Sequence, residues 1–134
     1  MEREPDFFGN WSVGNPLLGA LASAFDDYGS FRMYVNGRPP LREGVEKITG
    51  TIEDQYDWAM FDGELSGQEM SFMKIYSPQA IARGAAPNGV RYAGIKFPDS
   101  FRGKFTVVNG TSGGVTADWQ GEFYVIPTEA IRGN

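Results

Sequence analysis

The sequence predicts an all-β protein, an antiparallel up-and-down β-barrel of about eight strands with one short N-terminal helix. The clearest signal is residues 115–125, where alternation places one set of side chains on a single apolar face: Val115, Ala117, Trp119, Gly121, Phe123 and Val125. Reversals at Asn109-Gly110 and Gly113-Gly114 separate this run from other β-branched and aromatic runs. Because an antiparallel sheet of this many twisted strands tends to close or to split into two layers, we expect a closed barrel.

The remaining strands follow from the same signals in chain order. Runs of apolar and aromatic residues bounded by turn residues predict strands at 7–13, 31–35, 45–52, 58–63, 70–76, 90–97 and 104–108. The position of the turn in the third hairpin stays undecided, because either Ser66-Gly67 or Asp62-Gly63 suits its reversal. The longest loop, residues 77–89, has room for one helical turn around residues 79–82.

A helix is expected between the first two strands. Asn15 suits the N-cap and Pro16 the first helical position, where its missing N–H costs nothing. The segment 16–25 then carries apolar residues on one helical face: Leu17, Leu18, Leu21 and Phe25. We expect this face to cover an open barrel mouth or a sheet face, as a lid. Residues 1–5 are polar and are expected to be disordered.

The composition excludes several classes of function. With 134 residues the chain fits one domain, 1–134, and without Cys or His it has no disulfides, no zinc site of the usual kind and no His-based catalysis. A net charge of −5 with scattered basic residues argues against nucleic acid as a partner. Neither a membrane span nor a signal peptide is visible, so we expect a soluble protein that is cytoplasmic or a processed product. No cofactor or metal is expected.

The triplet Gly9-Asn10-Trp11 resembles the Gly-x-Trp signature of the calycin superfamily, which includes lipocalins, fatty-acid-binding proteins and avidins. The resemblance implies that Trp11 packs across a closed barrel end, against a basic residue on or after the last strand, for which Arg132 is the match. Such proteins mostly bind a small apolar ligand inside the barrel. A helix at 16–25 departs from the resemblance, which places the first long strand there.

Aromatic residues on the predicted strands are either core side chains or the lining of a ligand cavity, which an eight-stranded barrel can just hold. The two alternatives are compatible. The tyrosines suit a lining position better than phenylalanine, because a hydroxyl can orient a polar ligand group. The predicted ligand-binding residues are Trp58, Phe72, Lys74, Tyr76, Tyr92 and Trp119.

Two charged features have alternative interpretations. Lys74 shares a strand face with Phe72 and Tyr76, and the opposite face is equally apolar, so the sequence leaves open which one is inside. An inward Lys74 would be an anion anchor or a base of depressed pKa, and an outward one would be solvated. An acidic run is predicted to be a solvated hairpin end, since its spacing does not match a calcium loop; it comprises Glu53, Asp54, Asp57, Asp62 and Glu64.

The sequence therefore favours a small-molecule binding protein that holds an apolar or amphipathic ligand inside a lipocalin-like barrel. The alternative is a protein-interaction or structural domain that uses the barrel as a scaffold and forms, for example, a homodimer. An enzyme without His or Cys, such as a lyase or isomerase, ranks last, because nothing in the sequence pairs an acid with a base.

Overall fold

The computed structural model describes the backbone of residues 3–13, 27–112 and 115–131 and the side chains of residues 3–12, 29–108 and 120–129. The strands of this part of the chain are β1 (Phe7–Val13), β2 (Asp27–Gly37), β3 (Pro40–Arg42), β4 (Val45–Asp54), β5 (Asp57–Ser66), β6 (Glu69–Tyr76), β7 (Val90–Lys96), β8 (Phe101–Ser112) and β9 (Val115–Pro127). Two short helices, α1 (Pro78–Ala82) and α2 (Thr128–Ile131), follow β6 and β9.

Eight of these strands close into an antiparallel up-and-down barrel. From β4 to β8, each strand pairs with the next one along the chain, so that this run ends at β9. Strand β9 then pairs with β1, and β1 pairs with β2. The pairing of β2 with β4 closes the ring. The three-residue β3 pairs with β4 outside this ring. The predicted barrel is therefore confirmed.

The predicted helix at 16–25 lies outside the described residues, and the two helices that are described both lie later in the chain. The helical turn expected around residues 79–82 is confirmed within α1. Pro78 occupies its first turn, and the Oγ of Ser77 accepts a hydrogen bond from the Ala80 N–H at 3.1 Å. The helix thus begins with the cap and the proline that its sequence offers.

The structure decides the position of two predicted reversals. Asn109 and Gly110 lie within β8, where the register on β9 shifts between Val107 and Gly110, so they form part of a bulge rather than the hairpin turn. The hairpin link falls between Ser112 and Val115, the interval that contains the other predicted reversal, Gly113-Gly114. In the third hairpin, residues 62 and 63 lie inside β5, and the reversal comes at residues 67–68. That result selects the first of the two turns that the sequence allowed.

The barrel interior holds the apolar face of each strand. On β9, Phe123 and Val125 are buried while Tyr124 is exposed, which confirms the predicted inward face for the described part of the strand. The side chains of Val115, Ala117 and Trp119 lie outside the described residues. Among the helices that the structure describes, none combines the length and the apolar character needed to cross a membrane.

Candidate functional site

The centre of the barrel interior is occupied by aromatic rings. Tyr92 on β7 lies parallel to Phe72 on β6, with ring centroids 4.5 Å apart and an interplanar angle of 12°. Phe123, Phe105 and Phe31 meet the same tyrosine ring at centroid distances of 5.0, 5.6 and 6.0 Å. Edge and offset contacts of this kind are favourable packing geometries for aromatic pairs. Phe72 and Tyr92, both predicted as ligand-binding residues, are therefore in direct contact with each other and with the core.

Lys74 points into this interior. The inward face of β6 carries Met70, Phe72, Lys74 and Tyr76, which answers the question that the sequence left open. Only 1% of the surface of Lys74 is exposed, although lysine is rarely buried unless it is paired. A buried ammonium needs a partner of opposite charge, because removing it from water is costly.

That partner is Asp54, the last residue of β4. Lys74 Nζ lies 3.0 Å from Asp54 Oδ2, and the same oxygen accepts a hydrogen bond from the Tyr76 hydroxyl at 2.6 Å. The Asp54 side chain is only 1% exposed. The prediction that the whole acidic run is solvated is therefore wrong for Asp54. Its other members are partly or well exposed and form ion pairs at the surface.

Three rings surround the ammonium group of Lys74. Its Nζ atom lies 4.6 Å from the centroid of Tyr76, 5.3 Å from that of Tyr92 and 5.7 Å from that of Phe31. All three distances fall within the range of cation–π attraction. We call this group, Lys74, Asp54 and Tyr76 with the rings of Tyr92 and Phe31, the Lys74 cluster.

The position of Asp54 was available from the sequence and was missed. The residues at steps of two along β4, Ile48, Gly50, Ile52 and Asp54, all face inward. Extending the predicted strand 45–52 by one more inward position brings a carboxylate into the barrel. The compact run of acidic residues around the turn concealed that periodicity.

The cluster holds both of its titratable donors in their protonated forms. Burial disfavours the charged form of Lys74, but the oxygens of Tyr92, Tyr76 and Asp54 outweigh burial and raise the pKa of its ammonium above the usual range. Burial raises the pKa of the Tyr76 hydroxyl, and the Asp54 carboxylate adds to that effect against the opposing charge of Lys74. The alternative of a base with depressed pKa is therefore wrong for Lys74.

These raised pKa values predict a loss of stability at alkaline pH. Both groups keep their protons in the folded protein at a pH at which the unfolded chain has begun to release them, so their contribution is complete below about pH 10 and declines above it. We expect the free energy of unfolding to fall by about 1 kcal/mol per pH unit for each group. Urea unfolding between about pH 8 and 11 measures this slope.

Tyr76→Phe provides the control for that measurement. It removes one of the two titrating groups, so the alkaline slope should become shallower by the contribution of that hydroxyl. Tyr34→Phe removes a hydroxyl from the opposite, outward side of the barrel wall and serves as the matched variant. Equal slopes in both variants would contradict the assignment.

A gap in the barrel wall lies beside the cluster. The ladder between β2 and β4 ends at Arg32 and Glu53, although β2 continues toward Asp27. The resulting concavity, which we call the wall cleft, has a volume of about 420 Å³ and is lined by Gly29, Ser30, Phe31, Arg32, Glu53, Asp54 and Gln55. Phe31 and Asp54 belong to both the cleft and the cluster.

Trp11 of the Gly-x-Trp triplet lies behind one wall of this cleft. A methyl group added at Gly29 would come within 2.7 Å of the Trp11 ring, so the close approach requires glycine. The Trp11 ring also meets Phe105 edge-on at 6.1 Å. Arg132, the basic residue that the resemblance assigns to this tryptophan, lies outside the described residues.

The structure brings together four of the six predicted ligand-binding residues: Phe72, Lys74, Tyr76 and Tyr92. Trp58 does not join them, because it lies on the outer face of β5 with 43% of its surface exposed. Trp119 lies on β9 opposite Val107, and its side chain is outside the described residues.

A second concavity lies on the outer surface. It has a volume of about 560 Å³, crosses the outer faces of β7, β8, β9 and β1, and includes Ile95, Phe97, Arg102, Lys104 and Tyr124. The Arg102 guanidinium lies between two of its rings, 5.2 Å from Phe97 and 5.9 Å from Tyr124. We call it the outer groove. Of the predicted ligand-binding residues whose side chains are described, none lines this groove.

A metal centre has no basis in the part of the chain whose side chains are described, since no group of three acidic, His or Cys side chains gathers there. What the site offers is therefore an ammonium, a carboxylate and a hydroxyl in a dry aromatic setting.

Comparison of the chain with protein-family models, with curated proteins and with solved structures gives no match.

Proposed function

We propose that the protein binds a small amphipathic ligand in the wall cleft, with an uncharged hydroxyl or carbonyl group directed at the Lys74 cluster. One observation carries the proposal: a Lys–Asp–Tyr network is held in the dry barrel interior, and its carboxylate residue also lines a surface concavity. Small-molecule sites commonly combine apolar walls with a few convergent polar groups. The calycin resemblance also implies a small-molecule ligand, but an apolar one that lies inside the barrel.

The charge balance of the cluster selects the ligand's polar group. Asp54 already neutralises Lys74 at 3.0 Å, so a ligand carboxylate would approach one carboxylate as closely as one ammonium. An uncharged hydroxyl meets no such repulsion. It can donate to Asp54, which lines the cleft, and desolvating it costs far less than desolvating an ion.

The walls and size of the cleft suit the rest of such a ligand. Its volume of about 420 Å³ lies within the range of small-molecule sites. Phe31 lines the cleft although only 2% of its surface is exposed, and Ser30, Gln55 and Arg32 supply a polar rim. An amphipathic molecule can place its apolar part beside Phe31, inside this rim. Entry would be through the wall of the barrel, between β2 and β4.

The protonation states favour a binding role over the lyase or isomerase. A general base works best when its pKa is near the working pH, whereas the pKa values of Lys74 and Tyr76 are both raised. Both groups then keep their protons through the neutral range, as fixed hydrogen-bond donors. Fixed donors orient a ligand but do not abstract its protons.

A matched pair of probes tests the proposal. We expect 1-octanol, added to the ¹⁵N-labelled protein at neutral pH, to shift the backbone amide signals of residues 29–32 and 53–55. Octanoate has the same chain length and a charged head, and should bind at least about tenfold more weakly at this site.

The alternatives give different results in the same titration. Shifts centred on Ile95, Phe97 and Tyr124 would place the ligand in the outer groove and contradict the proposal. Equal binding of the two probes at the wall cleft would contradict the preference for an uncharged group. If neither probe shifts any signal, the binding role in this form is lost.

A further inference from the structure

The wall cleft exposes part of one strand edge. Strand β2 pairs with β1 over residues 27–33, but its ladder with β4 starts only at Arg32. Strand β4 does not continue alongside, because Asp54 pairs with Asp57 and the chain turns back there into β5. Within the described part of the chain, residues 27–31 of β2 therefore have a neighbouring strand on one side only.

Two hydrogen bonds show which backbone groups of β2 face the cleft. The Met33 C=O accepts a hydrogen bond from the Asp6 N–H at 2.8 Å, and the Val35 N–H donates to Asp6 Oδ2 at 2.7 Å, both on the β1 side. The N–H and C=O of successive residues in a strand point to opposite sides, so Phe31 faces β1 and Ser30 faces the cleft. Ser30 thus presents a donor and an acceptor there, and the described residues give neither of them a hydrogen-bond partner.

A side-chain amide already lies against this edge. Gln55, in the turn after β4, lines the cleft, and its Oε1 atom would lie 2.5 Å from a methyl group added at Gly29. The described residues form no hydrogen bond with this amide, so a ligand can displace it without breaking one. The space between the turn and the edge of β2 therefore accepts an amide group.

We infer that the ligand of the wall cleft is an uncharged N-acyl amino acid amide, which pairs with the edge at Ser30 as a short strand would; this inference rests on the proposed function and narrows its ligand class. In an antiparallel ladder, one residue exchanges two hydrogen bonds with the residue opposite, through its N–H and its C=O. An aminoacyl unit carries both groups at that spacing, whereas an alcohol does not. Strand addition to an exposed sheet edge is a recurring mode of recognition.

The other parts of such a molecule match the other walls of the cleft. Its terminal amide can donate to Asp54, and its acyl chain can lie beside Phe31. A free carboxylate in place of the terminal amide would be repelled by Asp54, as octanoate is expected to be. The cleft volume of about 420 Å³ suits a molecule of this size.

Three uncharged probes test the inference by titration of the ¹⁵N-labelled protein at neutral pH: 1-octanol, N-octanoylglycinamide and N-octanoylsarcosinamide. The sarcosine compound differs from the glycine compound only by a methyl group on the nitrogen that would donate to the Ser30 C=O. We expect N-octanoylglycinamide to bind at least about tenfold more tightly than 1-octanol, because it adds two hydrogen bonds to the edge. The N-methyl group should remove at least about tenfold of that affinity, because it replaces a donor and obstructs the pairing.

The Ser30 amide gives a readout that the hydrophobicity of the probe does not change. Its exchange with solvent, measured by NMR, should slow at least about tenfold at saturation with N-octanoylglycinamide, because the ligand carbonyl then accepts its hydrogen bond. The Phe31 amide faces β1 in the free protein and is the internal control, whose exchange should change little.

The outcomes separate this inference from the proposed function. If 1-octanol binds in the wall cleft and the glycine compound binds no more tightly, or its N-methyl analogue binds equally well, the strand-like pairing is wrong and the proposed function stands. Unchanged exchange of the Ser30 amide in the bound state would also overturn the pairing. If none of the three probes shifts the signals of residues 29–32 and 53–55, both the inference and the proposed function fail.

Discussion

Replacing Asp54 by alanine should lower the free energy of unfolding by about 3–5 kcal/mol, the usual cost of removing one partner from a buried ion pair. Lys74 would keep its burial, with 1% of its surface exposed, and lose its counterion at 3.0 Å. The Tyr76 hydroxyl would lose its acceptor at the same time. Chemical unfolding in urea at neutral pH measures the change.

A surface ion pair between β4 and β5 supplies the control. Lys47 and Asp62 lie 3.6 Å apart with side chains 46% and 65% exposed, so Asp62→Ala should cost less than about 1 kcal/mol. Combining Lys74→Met with Asp54→Leu should recover part of the stability that Asp54→Ala loses, since no charge then stays buried alone. Equal effects of Asp54→Ala and Asp62→Ala would contradict the buried pair.

Phe72→Ala should also destabilise the protein by about 3–5 kcal/mol, the range for truncating a buried aromatic ring. The ring is 3% exposed, stacks on Tyr92 at 4.5 Å and meets Phe61 edge-on at 5.7 Å. Its removal leaves a void among rigid rings that can close only in part. Thermal and urea unfolding should both report the loss, and added benzene should restore some stability by filling the apolar void.

Trp58→Ala is the contrasting variant, because it truncates a larger ring that lies on the outer face. With 43% of its surface already exposed, Trp58 should contribute far less to stability than Phe72 does. A larger loss from Trp58→Ala than from Phe72→Ala would mean that the inward and outward faces of the barrel have been exchanged.

The fold was predictable because its signals are local. Alternation in β9 identified the inward face that carries Phe123 and Val125, and the turn residues separated most of the strands. The bulge at Asn109-Gly110 was mistaken for a turn because the same dipeptide suits both. Which strands close the ring was not encoded locally: the pairing of β2 with β4 depends on the whole meander.

The candidate site was only partly predictable, because both faces of β6 are apolar. Met73 and Ile75 on the outer face of β6 are as apolar as Phe72 and Tyr76 on the inner face, so alternation could not orient Lys74. An apolar outer face removes the contrast between the wet and the dry side of the strand. Asp54, by contrast, was within reach, since it continues the inward alternation of Ile48 and Ile52.

The central claim is that the ligand binds in the wall cleft, and blocking the cleft tests it most directly. Ser30 is exposed and lines the cleft, so Ser30→Trp should fill the cleft without altering the Lys74 cluster. Ser12 is equally an exposed serine, lines the outer groove, and gives the matched variant Ser12→Trp. The dissociation constant of 1-octanol should rise by at least about tenfold in Ser30→Trp and stay at the wild-type value in Ser12→Trp. Unchanged binding of 1-octanol in Ser30→Trp, or a loss of binding confined to Ser12→Trp, would contradict the assignment of the ligand to the wall cleft.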